Sequence, residues 1–95
     1  MLKDEEKSPF RYIHGSTPWY ALLCLSEVVE IKKELELRTK IGEKTGNKPG
    51  QDRTRGIINE LKWTGLISVS DESIRLTAIG QELVNIGKKI SEVMQ

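Results

Sequence analysis

Ninety-five residues suffice for one domain with one core and leave no room for a second. Hydrophobic residues make up 37% of the chain and charged residues 31%, a balance that suits a helical domain in water. No apolar run nears the roughly 18 residues of a membrane span, so no membrane partner is expected. The formal net charge of +1 means that any nucleic-acid partner has to be argued from where the charges lie.

The opening stretch, residues 1–16, mixes charges with Pro9, Gly15 and the apolar Phe10, Tyr12 and Ile13, and reads as an N-terminal arm. Its charged start, Met1 to Lys7, has no apolar stretch behind it and does not read as a signal peptide. Cys24 is the only cysteine, which makes the cytoplasm the expected compartment.

Thr17-Pro18 signals a helix start, with Thr17 as cap and proline at the first helical position. The helix carries Tyr20, Leu22, Leu23, Leu25, Val28 and Val29, apolar around much of its circumference, and is expected to be the buried centre, ending near Glu30–Lys33. Glu34-Leu35-Glu36-Leu37 alternates polar with apolar, which suits a short strand or an extended link. Thr39 then caps a short helix from Lys40 to about Thr45, anchored by Ile41. Gly46-Asn47-Lys48-Pro49-Gly50 supplies the turn after it.

A third helix is expected from Asp52, as cap, to about Thr64. At 100° per residue Thr54, Ile57, Ile58 and Leu61 share its inner face, while Asp52, Gly56, Asn59 and Trp63 point away. Gly65 ends it. Leu66 to Ser70 and Ile74 to Leu76, joined by Asp71-Glu72-Ser73, read as a β-hairpin. Thr77 caps a last helix on which Ile79, Leu83, Ile86, Ile90 and Val93 recur at heptad-like spacing.

Six basic residues (Arg38, Lys40, Lys44, Lys48, Arg53, Arg55) face two acidic ones between 38 and 55, a surplus of four. Residues 17–37 carry four glutamates against two lysines. The positive charge is gathered in the central segment.

Leu61-Lys62-Trp63-Thr64-Gly65-Leu66-Ile67 is similar to the helix-to-wing signature of the winged helix-turn-helix superfamily, in which a leucine precedes Gly-Leu-Ile by four residues. Lys40 to Gly46 resembles the first helix of the motif. Leu76 to Leu83 resembles the return from wing to C-terminal helix in MarR-, PadR- and ArsR-like regulators. The resemblance covers residues 17–95 and implies an α+β, mostly α fold: a winged helix-turn-helix with a small antiparallel hairpin wing and an extended C-terminal helix.

It also implies a DNA-binding transcriptional regulator that reads the major groove of double-stranded DNA with the helix near 52–64. On that reading Gln51, Arg53, Arg55 and Asn59 face base edges, where arginine bonds guanine and Asn or Gln bonds adenine. Lys40, Lys44 and Lys48 sit over phosphates, and Arg75 is the basic residue of a wing whose tip is otherwise acidic. A homodimer is expected through Ile79, Leu83, Ile86, Ile90 and Val93. A protein-interaction module on the same fold is the alternative, favoured by the near-neutral charge, the acidic tip and Trp63, which is otherwise expected to cover the first helix or the arm. RNA binding ranks last for want of stacking aromatics in the basic segment.

No catalysis, cofactor or metal is expected. His14 and Cys24 are single and cannot form a transition-metal pair or a Cys-His nucleophile, and Gly42, Gly46 and Gly50 lack the Gly-Lys-Ser/Thr ending of a phosphate-binding loop.

Overall fold

The computed structural model describes residues 16–71 and 73–93; the arm residues Phe10, Tyr12, Ile13 and His14 and the tip residue Glu72 lie outside them. Helix α1 spans Thr17–Ser26. Its cap is Ser16, one residue before the expected Thr17: the Ser16 hydroxyl accepts from the Trp19 amide at 3.4 Å, and Pro18 occupies the first turn. Trp19, Ala21, Leu22, Cys24 and Leu25 are buried, as its apolar circumference demands. The helix ends short of the expected Glu30–Lys33, and the Ser26 hydroxyl donates back to the Leu23 carbonyl at 2.7 Å. Val28 still packs on the core, whereas Val29 points into water.

The chain then runs extended through Ile31, which is fully buried and exchanges two backbone hydrogen bonds with Ile74, of 2.9 and 2.8 Å. Helix α2 follows at Glu34–Thr45. The strand or link expected over Glu34–Leu37 is therefore helix. Leu37 and Ile41, four apart, share its buried face while Leu35 is exposed. Glu34 and Glu36 lie in the first turn, where carboxylates complement the helix dipole. Thr39 caps nothing; its hydroxyl donates to the Leu35 carbonyl from inside the helix.

Helix α3 spans Gln51–Trp63 with Gly50 as N-cap, so Asp52 is a first-turn residue and not the cap. Thr54, Ile57 and Leu61 are buried and Ile58 packs beside them, the inner face that periodicity indicates. Thr54 is accommodated in the core because its hydroxyl donates to the Gly50 carbonyl at 2.8 Å. Gly65 takes φ +79°, a left-handed conformation that lets the chain reverse from helix into strand. Strands β1 (Ile67–Val69) and β2 (Ile74–Leu76) pair antiparallel, with Ile67 opposite Leu76 and Val69 opposite Ile74.

Helix α4 spans Ala78–Val93. The hydroxyl of Thr77 accepts from the Gly80 amide (3.1 Å) and donates to the Gly65 carbonyl (2.7 Å), so one side chain caps α4 and secures the exit from α3. Thr77→Val keeps the shape and deletes both bonds, and is expected to cost about 1–2 kcal/mol. Urea denaturation measures it; a midpoint equal to the parent's would remove the double role.

The core-facing side of α4 is Gly80, Leu83, Val84 and Gly87, which lies over α1 and the hairpin. Leu83, 4% exposed, belongs to the chain's own core and is not available to a dimer interface. Ile79, Ile86 and Ile90 form a neighbouring exposed stripe, and Val93 ends the helix at its backbone. The molecule is α+β and mostly helical: among the described residues, four helices enclose one core beside a two-stranded antiparallel sheet.

Candidate nucleic-acid interface

The basic segment folds into α2, the turn after it and α3, which pack on one another. Arg38 draws the turn against α2 by donating from Nε to the Pro49 carbonyl at 3.1 Å. Lys40 is half-buried on α2, whereas Lys44 and Lys48 are exposed further along. With the inner face of α3 committed to the core, the chain leaves Gln51, Asp52, Arg53, Arg55, Asn59, Lys62 and Trp63 exposed. Six of the eight residues expected to meet a nucleic acid thus stand on this unit in solvent, with Lys40 partly so. Arg75 lies apart from them on β2.

The charges are not equally available. Arg55 Nε stands 3.2 Å from Glu34 Oε1, Lys44 Nζ 2.8 Å from Glu27 Oε1, and Arg75 directs Nε and Nη2 to Glu30 Oε2 at 3.1 and 2.9 Å. Arg53 meets no carboxylate among the described residues; its Nη2 donates to the Thr17 hydroxyl at 3.3 Å. Lys40, Lys48 and Lys62 likewise make no ion pair among the described residues. Neither arginine of α3 is buried, and exposed pairs of this kind contribute only about 0–1 kcal/mol each, so either side chain can be recruited by a stronger partner.

Two carboxylate–cation contacts alter proton affinity. The hydrogen bonds from Arg75 hold the Glu30 carboxyl below the usual carboxylate range, and the bond to Glu27 raises Lys44. A depressed carboxylate adds stability above its unfolded-state pKa, and that contribution fades as acid protonates the folded group. In an NMR titration Glu30 is expected to protonate below the usual carboxylate range, and Arg75→Gln should move it upward. A Glu30 curve unmoved by Arg75→Gln would show that the arginine is not the cause.

Trp63 does not cover α1: it is 88% exposed, the largest apolar side chain presented to solvent. Beside the motif, Lys33, Leu35, Glu36, Thr39, Lys40 and Glu43 line an open hollow of about 420 Å³ on the outer side of α2. Cys24 is buried among leucines, and burial pushes its thiol upward, away from the reactive thiolate. No helix among the described residues is long and apolar enough to cross a membrane.

Sequence reasoning did not find the three glutamate partners. Their separations of 17, 21 and 45 residues from the cations leave no local pattern. The only hint was the acidic surplus of residues 17–37 beside the basic segment. Comparisons with family models, with curated proteins and with solved structures found no match to this chain.

Proposed function

We propose that this chain is a winged helix-turn-helix module of a cytoplasmic transcriptional regulator, a binding protein and not an enzyme, that engages double-stranded DNA. On this reading α2 and α3 are the helix-turn-helix, β1 and β2 the wing, and the Ile31–Ile74 bridge the wing's third strand contact. The observation that carries it is the outer side of α3. The helix is anchored along Thr54, Ile57, Ile58 and Leu61, and its opposite side is exposed along its length, with Gln51, Arg53 and Arg55 near the end that follows the turn and Asn59 one turn further on. A helix presented in this way fits the major groove, with amide and guanidinium groups toward base edges. Lys40, Lys44 and Lys48 supply phosphate contacts from the side.

The exposed stripe Ile79, Ile86 and Ile90 favours a homodimer through α4, which would set two copies of α3 on successive half-sites. Arg75 is the weakest of the candidate DNA contacts, because it lies on β2 apart from α2 and α3 and gives two hydrogen bonds to Glu30.

A titration of fluorescent duplex fragments, followed by anisotropy over a series of salt concentrations, tests the reading. Affinity is expected to fall with a log–log salt slope of about 3–5 per chain, as four or so phosphates are neutralised. Emission of Trp63 gives an independent readout, since Trp19 is buried and will not respond directly. No salt-dependent binding to any duplex would reject it. The exposure of Trp63 favours a second reading, docking on a protein partner. Capture of one stoichiometric protein that quenches Trp63, in the absence of duplex binding, would decide for that reading.

A further inference from the structure

Glu27, Glu30 and Glu34 each pair with a basic side chain distant in sequence. All three come from one eight-residue stretch, the connector between α1 and α2 and the first residue of α2. Each reaches a cation on a different later element: Lys44 on α2, Arg75 on β2 and Arg55 on α3. The three cations are all candidates for the nucleic-acid surface, and the stretch that holds them reaches α2, the hairpin and α3 in turn. Its course is fixed, because Ile31 in its middle is buried and bridged to Ile74.

From this juxtaposition we infer that the Glu27–Glu34 stretch is an electrostatic brake on the DNA-binding surface, an internal competitor for the same cations that phosphates must recruit. The inference rests on the DNA-binding reading above. A phosphate reaching Lys44 or Arg75, or a base edge reaching Arg55, has to compete with a carboxylate already 2.8–3.2 Å away. The displaced glutamate then stays close to the phosphate and repels it. Both effects subtract from affinity; those at Lys44 and Arg75 leave sequence preference untouched, because phosphate contacts carry no base information, whereas release of Arg55 frees a base-edge contact. The pairs are exposed and individually weak, so the brake yields to a polyanion as dense as duplex DNA and holds against sparse anions. Glu30 keeps its charge further into acid than an ordinary carboxylate, so its contact with Arg75 persists there as well.

The test compares the whole chain with Glu27→Gln/Glu30→Gln/Glu34→Gln and with a control of equal charge change, Glu36→Gln/Glu43→Gln/Glu82→Gln, whose glutamates make no ion pair among the described residues. Circular dichroism melting establishes that each is folded, and single substitutions replace a triple that is not. Releasing the three cations is expected to tighten duplex binding about tenfold or more and to steepen the log–log salt slope by about 1–3, near 0.9 per added phosphate contact. Equal affinity and slope in parent and connector variant would overturn the brake while leaving DNA binding intact. An equal gain in the control triple would also overturn it, by showing general repulsion. Absence of duplex binding in parent and variants alike would remove the DNA-binding reading, and the brake with it.

Discussion

Gly80→Ala and Gly87→Ala are expected to destabilise the protein by about 2–3 kcal/mol each, although alanine is the better helix former by about 1 kcal/mol. At Gly87 an added Cβ would overlap the indole of Trp19, lying 2.8 Å from Cζ2 and closer still to Cη2. Trp19 is 6% exposed and packed in the centre of the core, so it has no space into which to withdraw. At Gly80 the obstacle is backbone: the Cβ would meet the Leu66 carbonyl oxygen and stand 2.8 Å from Leu76 Cδ1. That oxygen accepts from the Thr77 amide at 3.1 Å, and moving it would disturb the entry into α4 as well. The loss should appear as a fall in melting temperature of about 10 °C or more for a domain of this size. Gly56→Ala, on the open side of α3 with nothing within 4 Å of the new Cβ, is the matched control and should stabilise by about 0.5–1 kcal/mol. If all three alanines raised the melting temperature alike, the close approach of α4 to Trp19 and Leu66 would be wrong.

The second large effect is expected in binding. Arg53→Ala/Arg55→Ala should erase discrimination between a preferred duplex and a scrambled one, a loss of about 10–1000-fold in the affinity ratio, since each good bidentate base contact discriminates by about 1–3 kcal/mol. Lys40→Ala/Lys44→Ala/Lys48→Ala should instead weaken binding to both duplexes by the same factor and flatten the salt slope by about 2–3. The ion pair of Arg55 with Glu34 and the bond from Arg53 to Thr17 do not prevent this, because both arginines are exposed and each is held by a single group among the described residues. A double arginine variant that keeps the parent's ratio would take base reading away from α3.

The parts of the fold that could be read from the chain are those in which a local period coincides with burial. The α3 face of Thr54, Ile57 and Leu61, the reversal at Gly65, the hairpin and the Thr77 cap are all set within a few residues of their signals. Glu34–Leu37 misleads because four residues of alternation satisfy a period of two, whereas the deciding partner of Leu37 is Ile41, one helical turn on. Glutamate is also a poor strand former, and glutamate and leucine are both good helix formers, a preference that alternation concealed.

The α4 seam misleads for a different reason. Two glycines, invisible to any hydrophobic pattern, create the face that meets α1 (Gly87) and the hairpin base at Leu66 and Leu76 (Gly80), and the isoleucines lie outward of it. Of the candidate site, the positions on α2 and α3 were legible from periodicity and charge. Their availability was not, because three of the cations are neutralised by glutamates brought in by tertiary structure.

The Thr77 hydroxyl grips the end of one helical segment and the start of another through a single rotatable bond. Mechanically this makes α3, the hairpin base and α4 one stiff bracket rather than rods on slack joints. In a two-chain assembly held through α4, the pitch between the paired α3 helices would be set by the bracket's rigid angle. On the proposed DNA-binding reading, such a gauge would favour one spacing of half-sites over others.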